Sequence, residues 1–249
     1  MLGVLWRVRR LANYRVVDTS RLYAYPEIQH LRRLFGRFSV DCVFDVGANQ
    51  GQYGTMLRRE VGYRGRIISF EPDPVAAVVL QKAARGDRNW EIRPVALADR
   101  RGTLRFNIMR DSQFNSLSNP RYDETTECIE ANQVVSCVDV ATETLADAVS
   151  HARNTGPMTA PHLKMDTQGF DMPIVAACPH VVKTFVGVQT EVAFKRLYDA
   201  AAPARDVLAW YESHGFELSA IVPNNYGHFP VLIESDFIFV RRDLASREM

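Results

Sequence analysis

The feature that most constrains the fold is a glycine-rich turn at residues 43–54, reading Val-Phe-Asp-Val-Gly-Ala-Asn-Gln-Gly-Gln-Tyr-Gly. The apolar run over 41–47 has the length and composition of a strand buried on both faces, and 51–60 follows as a helix. Gly47 and Gly51 let the backbone take positive φ and approach a ligand closely. The spacing G-x-x-x-G-x-x-G is not the dinucleotide fingerprint G-x-G-x-x-G. Asp45 stands inside the strand, two residues before Gly47. An acid there repels a pyrophosphate and suits a ligand carrying an ammonium and a sulfonium, as S-adenosylmethionine does. The plainer alternative is that Asp45 only orients the turn.

Beyond the turn, strand-like and helix-like periods alternate. Strands are expected at 66–71, 90–97, 103–109, 134–140, 162–167, 185–190, 216–222 and 236–240, and helices at 74–85, 142–149, 170–177 and 204–214. Pro74 opens one helix and Gly215 closes another, while 151–161, with a glycine and two prolines, reads as a connection. This alternation predicts an α/β fold, a mainly parallel sheet with helices on both faces and ligands beyond the carboxyl ends of the strands. Residues 1–40 read as an N-terminal helical extension, with Ile28, Leu31, Leu34 and Phe35 at helical spacing, and 41–249 as the ligand-binding domain. Residues 110–132 lack a sustained period and read as a long loop of the kind that serves as a lid.

The candidate site follows from the strand ends. With residues 43–54, including Tyr53, the acidic turn Glu71-Pro72-Asp73 is expected to grip the cofactor. A carboxylate at Glu71, 24 positions beyond Gly47, can accept hydrogen bonds from ribose hydroxyls. Capping of the next helix is its structural alternative. Ala96 and Leu97, ending the third strand, either wall the adenine or simply pack. Period-two alternation puts His162, Lys164 and Asp166 on one face of a central strand, which is costly unless they pair or work. Asp166 is the leading candidate for base or acceptor contact, with a buried Lys164–Asp166 ion pair as the structural reading; Lys164 itself is a second catalytic candidate. Glu191, with Gln189 beside it, faces the same crevice. A divalent ion on Asp166 and Glu191 would be a competing use, but no adjacent carboxylate cluster supports it and no metal site is expected. His228 is a loop base or a solvated histidine.

At this point the ordered runs VFDVGANQGQYG, FEPDP, PVALAD and LKMDTQGFD, with QTEV and the closing DFIFV, resemble the FkbM family of S-adenosylmethionine-dependent methyltransferases. The resemblance extends from about residue 40 to 240. It implies a class I methyltransferase, Rossmann-like fold: a seven-stranded sheet whose last strand is antiparallel. It also implies O-methylation, often of a sugar or polyketide hydroxyl. By motif, Asp45, Gly47, Asn49 and Gly51 would cradle the methionine part, Glu71 the ribose, and Ala96 with Leu97 the adenine region. Ser116 lies in a segment similar to a serine-rich stretch of the family, which implies a contact with cofactor or acceptor. One departure is Asp171, where the family commonly carries glutamate.

Composition removes several rivals. The formal charge of +1 offers no global field for nucleic acid, and no Asn/Asp-Pro-Pro-aromatic motif for flipped bases is present. An RNA 2′-O-methyltransferase would need Lys164, Asp166, Lys195 and Glu191 together. A nicotinamide oxidoreductase would need the missing fingerprint, and a catalytically silent adenosyl-binding protein would keep the turn alone. The four cysteines (Cys42, Cys128, Cys137, Cys178) form no C-x-x-C pair and read as thiols in a reducing compartment. No apolar run reaches the roughly 20 residues of a bilayer span, and residues 1–11 do not read as a secretory signal. A cytoplasmic protein is expected. The acceptor pocket is expected from loops 110–132 and 223–230 with the N-terminal helices. Their Phe114, Asn115, Tyr122, Asn224, Asn225 and Tyr226 would suit a small-molecule or glycan hydroxyl acceptor, a sugar above all.

Overall fold

The computed structural model describes residues 19–223 and 228–245. The expected helix over 1–18 and the loop residues Asn224, Asn225 and Tyr226 lie outside the described residues. A short 3₁₀ segment, Thr19–Ala24, leads into α1 (Tyr25–Phe38), which Pro26 starts and a left-handed Ser39 ends by donating its N–H to the Phe35 carbonyl. Next come β1 (Cys42–Val46), α2 (Gln52–Met56), a π turn at Leu57–Val61, β2 (Arg66–Phe70), α3 (Pro74–Ala83) and β3 (Trp90–Arg93). The chain continues through β4 (Ala96–Leu97), β5 (Gly102–Met109), β6 (Val134–Glu143), α4 (Leu145–Thr155), β7 (Pro161–Met165), α5 (Asp171–Ala176) and α6 (Pro179–Val182). It ends with β8 (Gly187–Ala193), α7 (Ala204–Ser213), β9 (Phe216–Pro223), β10 (Glu234–Arg241) and α8 (Arg242–Ala245).

The main sheet has seven strands in the order β3-β2-β1-β7-β8-β10-β9. All run parallel except β10, which is antiparallel to both β8 and β9. This is the class I methyltransferase arrangement. Alternation along β1 divides the core. Cys42, Phe44 and Val46 pack with α4, α5, α6 and α7 on one face, whereas Val43 packs with α1, α2 and Leu80 of α3 on the other. Phe44 stacks on Phe70 at 5.9 Å and meets Phe185 edge-on at 5.2 Å; truncation of such a buried ring costs about 3–5 kcal/mol. Because Ile28, Leu31, Leu34 and Phe35 belong to the second cluster, α1 shares the core of the sheet.

Two expectations are corrected. The run 90–97 is not one strand: Pro94 lacks the ladder N–H, and the chain leaves the main sheet after Arg93. Ala96 and Leu97 instead join β6 in a separate three-stranded sheet, β4-β6-β5. The helix expected at 142–149 begins later, because Thr142 and Glu143 are the end of β6. Thr144 is the true cap. Its Oγ1 accepts from the Asp147 N–H at 3.2 Å, and Asp147 accepts from the Thr144 N–H at 3.0 Å, a closed capping box that carries the helix on to Thr155.

On β7, His162 is fully buried against Phe35, ring centroids 5.0 Å apart, and neither ring nitrogen has a protein hydrogen-bond partner. Burial lowers its pKa from 6.5 to about 3. The unfolded chain therefore takes up a proton that the folded chain refuses. Stability is full above pH 6.5 and falls as the pH drops toward 3, by at most about 1.4 kcal/mol per pH unit from this residue. His162→Leu is expected to flatten that fall, measured as the urea midpoint at about pH 7 and about pH 4.5. An unaltered pH dependence would mean that His162 is not the titrating group.

Candidate active site

The glycine turn leaves β1 at the carboxyl edge of the sheet. Gly47 has φ 76°, and a Cβ there would overlap the carbonyl oxygen of Asp166, so no other residue lets the two strand ends approach this closely. The N–H groups of Gly47 and Ala48 both donate to the Phe70 carbonyl at 3.1 Å. Asn49, left-handed at φ 45°, then aims its N–H at Glu71 Oε2, 2.6 Å away. Glu71 Oε1 accepts from the Asp73 N–H at 2.8 Å. Burial pushes the Glu71 carboxyl up to about 7 despite these two donors. Asp73, not Glu71, caps α3, its Oδ1 accepting from the Val75 N–H at 2.8 Å and its Oδ2 from Asn115 Nδ2 at 3.0 Å.

These groups border a cavity of about 670 Å³. They include Gly47, Asn49, Phe70, Glu71, Pro72, Ala96, Leu97 and Phe106, together with Tyr53, Lys164, Asp166, Gln168 and Glu191. The residues 111–115 of the long loop close over it, with Ser112 Oγ donating to Asn49 Oδ1 at 3.2 Å. Four other expected site residues, Asp45, Gly51, Asp73 and Ser116, do not line the cavity. Asp45 is fully buried behind it, accepting from Ser69 Oγ at 2.9 Å, and Ser69 in turn accepts from Trp90 Nε1. Ser116 is a pin. Its hydroxyl donates to the Gln168 carbonyl at 2.8 Å and accepts from the Ser118 N–H, tying the long loop to the end of β7. Asp171 likewise holds the backbone, taking the Thr167 N–H at 2.9 Å, the Thr167 hydroxyl, and the Thr190 hydroxyl at 2.6 Å.

Lys164 sits between two carboxylates, 3.7 Å from Asp45 Oδ1 and 3.4 Å from Asp166 Oδ2, with its ammonium 5.2 Å from the centre of the Tyr53 ring. Burial alone would lower the lysine, but Asp166 and Asp45 outweigh it and hold it above the ordinary lysine value. A lysine locked in its charged form cannot serve as a base. Asp166 is 38% exposed at its side chain and opens into the cavity. Glu191 is held beside it, because Gln168 Nε2 donates to Asp166 Oδ1 at 2.8 Å and to Glu191 Oε2 at 2.9 Å. Burial raises Glu191 well above the usual carboxylate range, and Glu234 adds to the rise.

Gln168, Glu27, Glu234 and Asp236 line the cavity and escaped sequence reasoning, whereas Gln189, expected beside Glu191, stands behind the lining. Gln168, left-handed at φ 54°, bridges the two acids and accepts from the Tyr198 hydroxyl at 3.0 Å. Gln189 accepts from the Tyr53 hydroxyl at 3.1 Å and donates to Glu27 of α1 at 2.7 Å and to Asp236 of β10 at 2.9 Å. Burial pushes Asp236 to about 7 and Glu234 to about 8, and raises Glu27. The alternation of the closing strand puts Glu234 and Asp236 on one face, a signal available in the sequence; nothing local points to Glu27. Neither Lys195 nor His228 lines the cavity. Among the described residues no group of three or more His, Cys, Asp or Glu side chains is arranged to hold a metal ion, and no helix is long and apolar enough to cross a membrane. The four cysteines are free thiols, Cys42 and Cys178 buried.

Several solved structures are similar to the chain. Cofactor-bound Rv0187 from MTB shares 12% identity at a TM-score of 0.49, over 97% of this chain and 89% of that one. An O-methyltransferase from Bacillus cereus in complex with SAH shares 10% at 0.48, over 96% and 90%. The magnesium protoporphyrin IX methyltransferase of Synechocystis PCC 6803 with bound SAM shares 11% at 0.46, over 95% and 90%. No curated protein sequence matches the chain. The methyltransferase FkbM domain, in contrast, matches residues 45–218, a span that runs from Asp45 at the glycine turn past Glu191 in the cavity lining. The chain therefore belongs to the FkbM family of S-adenosylmethionine-dependent methyltransferases.

Proposed function

We propose that this protein transfers a methyl group to a hydroxyl of a small molecule or glycan, with a sugar as the favoured acceptor. The observation that carries the reading is Asp166, a carboxylate held by Lys164 and Gln168 and opening into the cavity that Glu71 also lines. When bound, S-adenosylmethionine supplies an electrophilic methyl on sulfur. The residues present fit that group. Glu71 keeps lone pairs for ribose hydroxyls after its two backbone donors, and Ala96, Leu97 and Phe106 offer apolar walls.

The rest of the chemistry belongs to the chain. Asp166 accepts the proton of the acceptor hydroxyl as its oxygen bonds to the methyl carbon and the carbon–sulfur bond breaks, the bonding pair going to sulfur. Lys164 and Gln168 fix the Asp166 carboxyl, which is the alignment such a displacement requires. Glu234 and Asp236, which burial raises to about 8 and about 7, can both donate to and accept from sugar hydroxyls. Because Lys195 stands outside the cavity lining, the four-residue ribose 2′-O arrangement is not assembled, which disfavours RNA as the acceptor.

Three outcomes test the assignments. Glu71→Ala is expected to weaken S-adenosylhomocysteine binding at least about tenfold by calorimetry, a loss of about 1.4 kcal/mol or more. Hydroxyl donors bind the ionised carboxyl. With Glu71 at about 7 in the free protein, affinity should therefore decline as pH falls below 7, and Glu71→Gln should abolish that decline. Asp166→Asn is expected to cut kcat roughly 10²–10⁴-fold toward an accepted sugar while leaving cofactor affinity within about threefold. Turnover near the wild-type rate would exclude Asp166 as the base. Failure of every hydroxyl acceptor to consume labelled cofactor would favour a silent adenosyl-binding protein.

A further inference from the structure

Most arginines of this chain hold an acid. Arg93 pairs with Glu143, Arg101 with Asp147, Arg121 with Asp123, Arg196 with Glu124 and Arg242 with Glu217. Others differ. Arg33, Arg59, Arg64, Arg85 and Arg88 are all exposed, and among the described residues none has a carboxylate within ion-pair distance; Arg32, Arg105 and Arg153 share this property, Arg105 and Arg153 lying on other elements.

Arg33, Arg59, Arg64, Arg85 and Arg88 lie on segments that are joined to one another. Arg33 is on α1, whose Arg32 donates to the carbonyls of Glu60 and Val61 in the π turn that carries Arg59. Arg58 of that turn pairs with Asp87 at 2.6 Å and donates to the Asn89 carbonyl at 3.1 Å, which seats the turn on the segment bearing Arg85 and Arg88. Asn89 Nδ2 donates to the Arg64 carbonyl at 3.2 Å. Arg64 precedes β2 and Arg88 precedes β3, so the set gathers at the amino edge of the sheet, opposite the cavity. Of the acids on these segments, Asp87 pairs with Arg58, Asp41 accepts from the Thr159 and Ala160 N–H groups and keeps its charge, and Glu60 follows Arg59 in the π turn, so the cations outnumber the acids without being free of them. With a formal charge of only +1 for the whole chain, the imbalance is regional.

An apolar stripe leads into this edge. On α3, Val75, Val78 and Val79 are 74%, 50% and 37% exposed, and with the exposed Lys82 they occupy i, i+3, i+4 and i+7 of one helix face. Exposed valines beside cations offer apolar contact together with positive charge, the two attractions an anionic bilayer surface provides for. A single-stranded nucleic acid would call for aromatic platforms. The large aromatics exposed among the described residues are Tyr122, Phe194 and Phe229, none of them in these segments. We propose that this face, the valine side of α3 with the unpaired arginines of the amino edge, docks the protein on an anionic lipid surface.

The test is co-sedimentation of the full chain with phosphatidylcholine vesicles, with and without about 30 mol% phosphatidylserine, at about 0.05 and 0.5 M salt. Binding is expected only with phosphatidylserine and low salt. It should fall at least about tenfold in the quadruple variant Arg59→Glu, Arg64→Glu, Arg85→Glu, Arg88→Glu, and several-fold in Val75→Ser/Val78→Ser. Circular dichroism and urea midpoints confirm that the variants are folded. Binding that ignores phosphatidylserine, or a folded quadruple variant that binds as well as wild type, overturns the proposal. So does a serine variant with undiminished vesicle binding whose vesicles are displaced by RNA of equal charge, since a nucleic acid would then be the occupant.

Discussion

Lys164 joins the two central strands at the point where the cavity begins. Its ammonium rises from β7 between Asp45 of β1 and Asp166 of its own strand end, beside the Tyr53 ring. A buried charge is tolerable only when paired. Asp45 Oδ1 has no hydrogen-bond partner and depends on this cation for compensation. Burial raises the pKa of Asp45 in spite of this cation, and it also raises those of the cavity carboxyls Glu27, Glu191, Glu234 and Asp236. The site thus holds two kinds of acid: Asp166, which opens to the cavity in an ion pair, and a surrounding group that burial drives toward the neutral form.

Glu71 and the glycine turn are held mainly by backbone. Glu71 is positioned by the N–H groups of Asn49 and Asp73, and the turn that supplies the first of these exists because Gly47 can lie against the Asp166 carbonyl. The long loop is then fastened to these segments and to the end of β7: Asn115 to Asp73, Ser112 to Asn49, and Ser116 to the Gln168 carbonyl. A ligand that shifts the Asn49–Glu71 contact therefore acts on the loop and on the β7 end together.

Much of this was legible before the fold was known, and the failures have identifiable causes. The glycine turn, the strand ends at Glu71 and Asp166 and the alternating architecture are local properties of spacing and period. The run 90–97 looked continuous because its residues are strand-like, yet one proline redirected its second half to a different sheet. Thr142 looked helical because strand and helix abut there with no punctuation other than Thr144. Gln168 and Gln189 were invisible as hubs, since an amide shows its partners only when distant chain segments meet.

By itself the sequence determined the alternation of strands and helices, the glycine that a close strand approach demands, and the placing of acids at strand ends, because each depends on residues a few positions apart. Tertiary structure alone decided which acids share the cavity, that Asp45 lies behind it and Glu27 enters it from α1, and that Arg33, Arg59, Arg64, Arg85 and Arg88 have no carboxylate partner among the described residues. Those outcomes depend on burial and on distances between segments far apart in the chain, for which local periodicity carries no information.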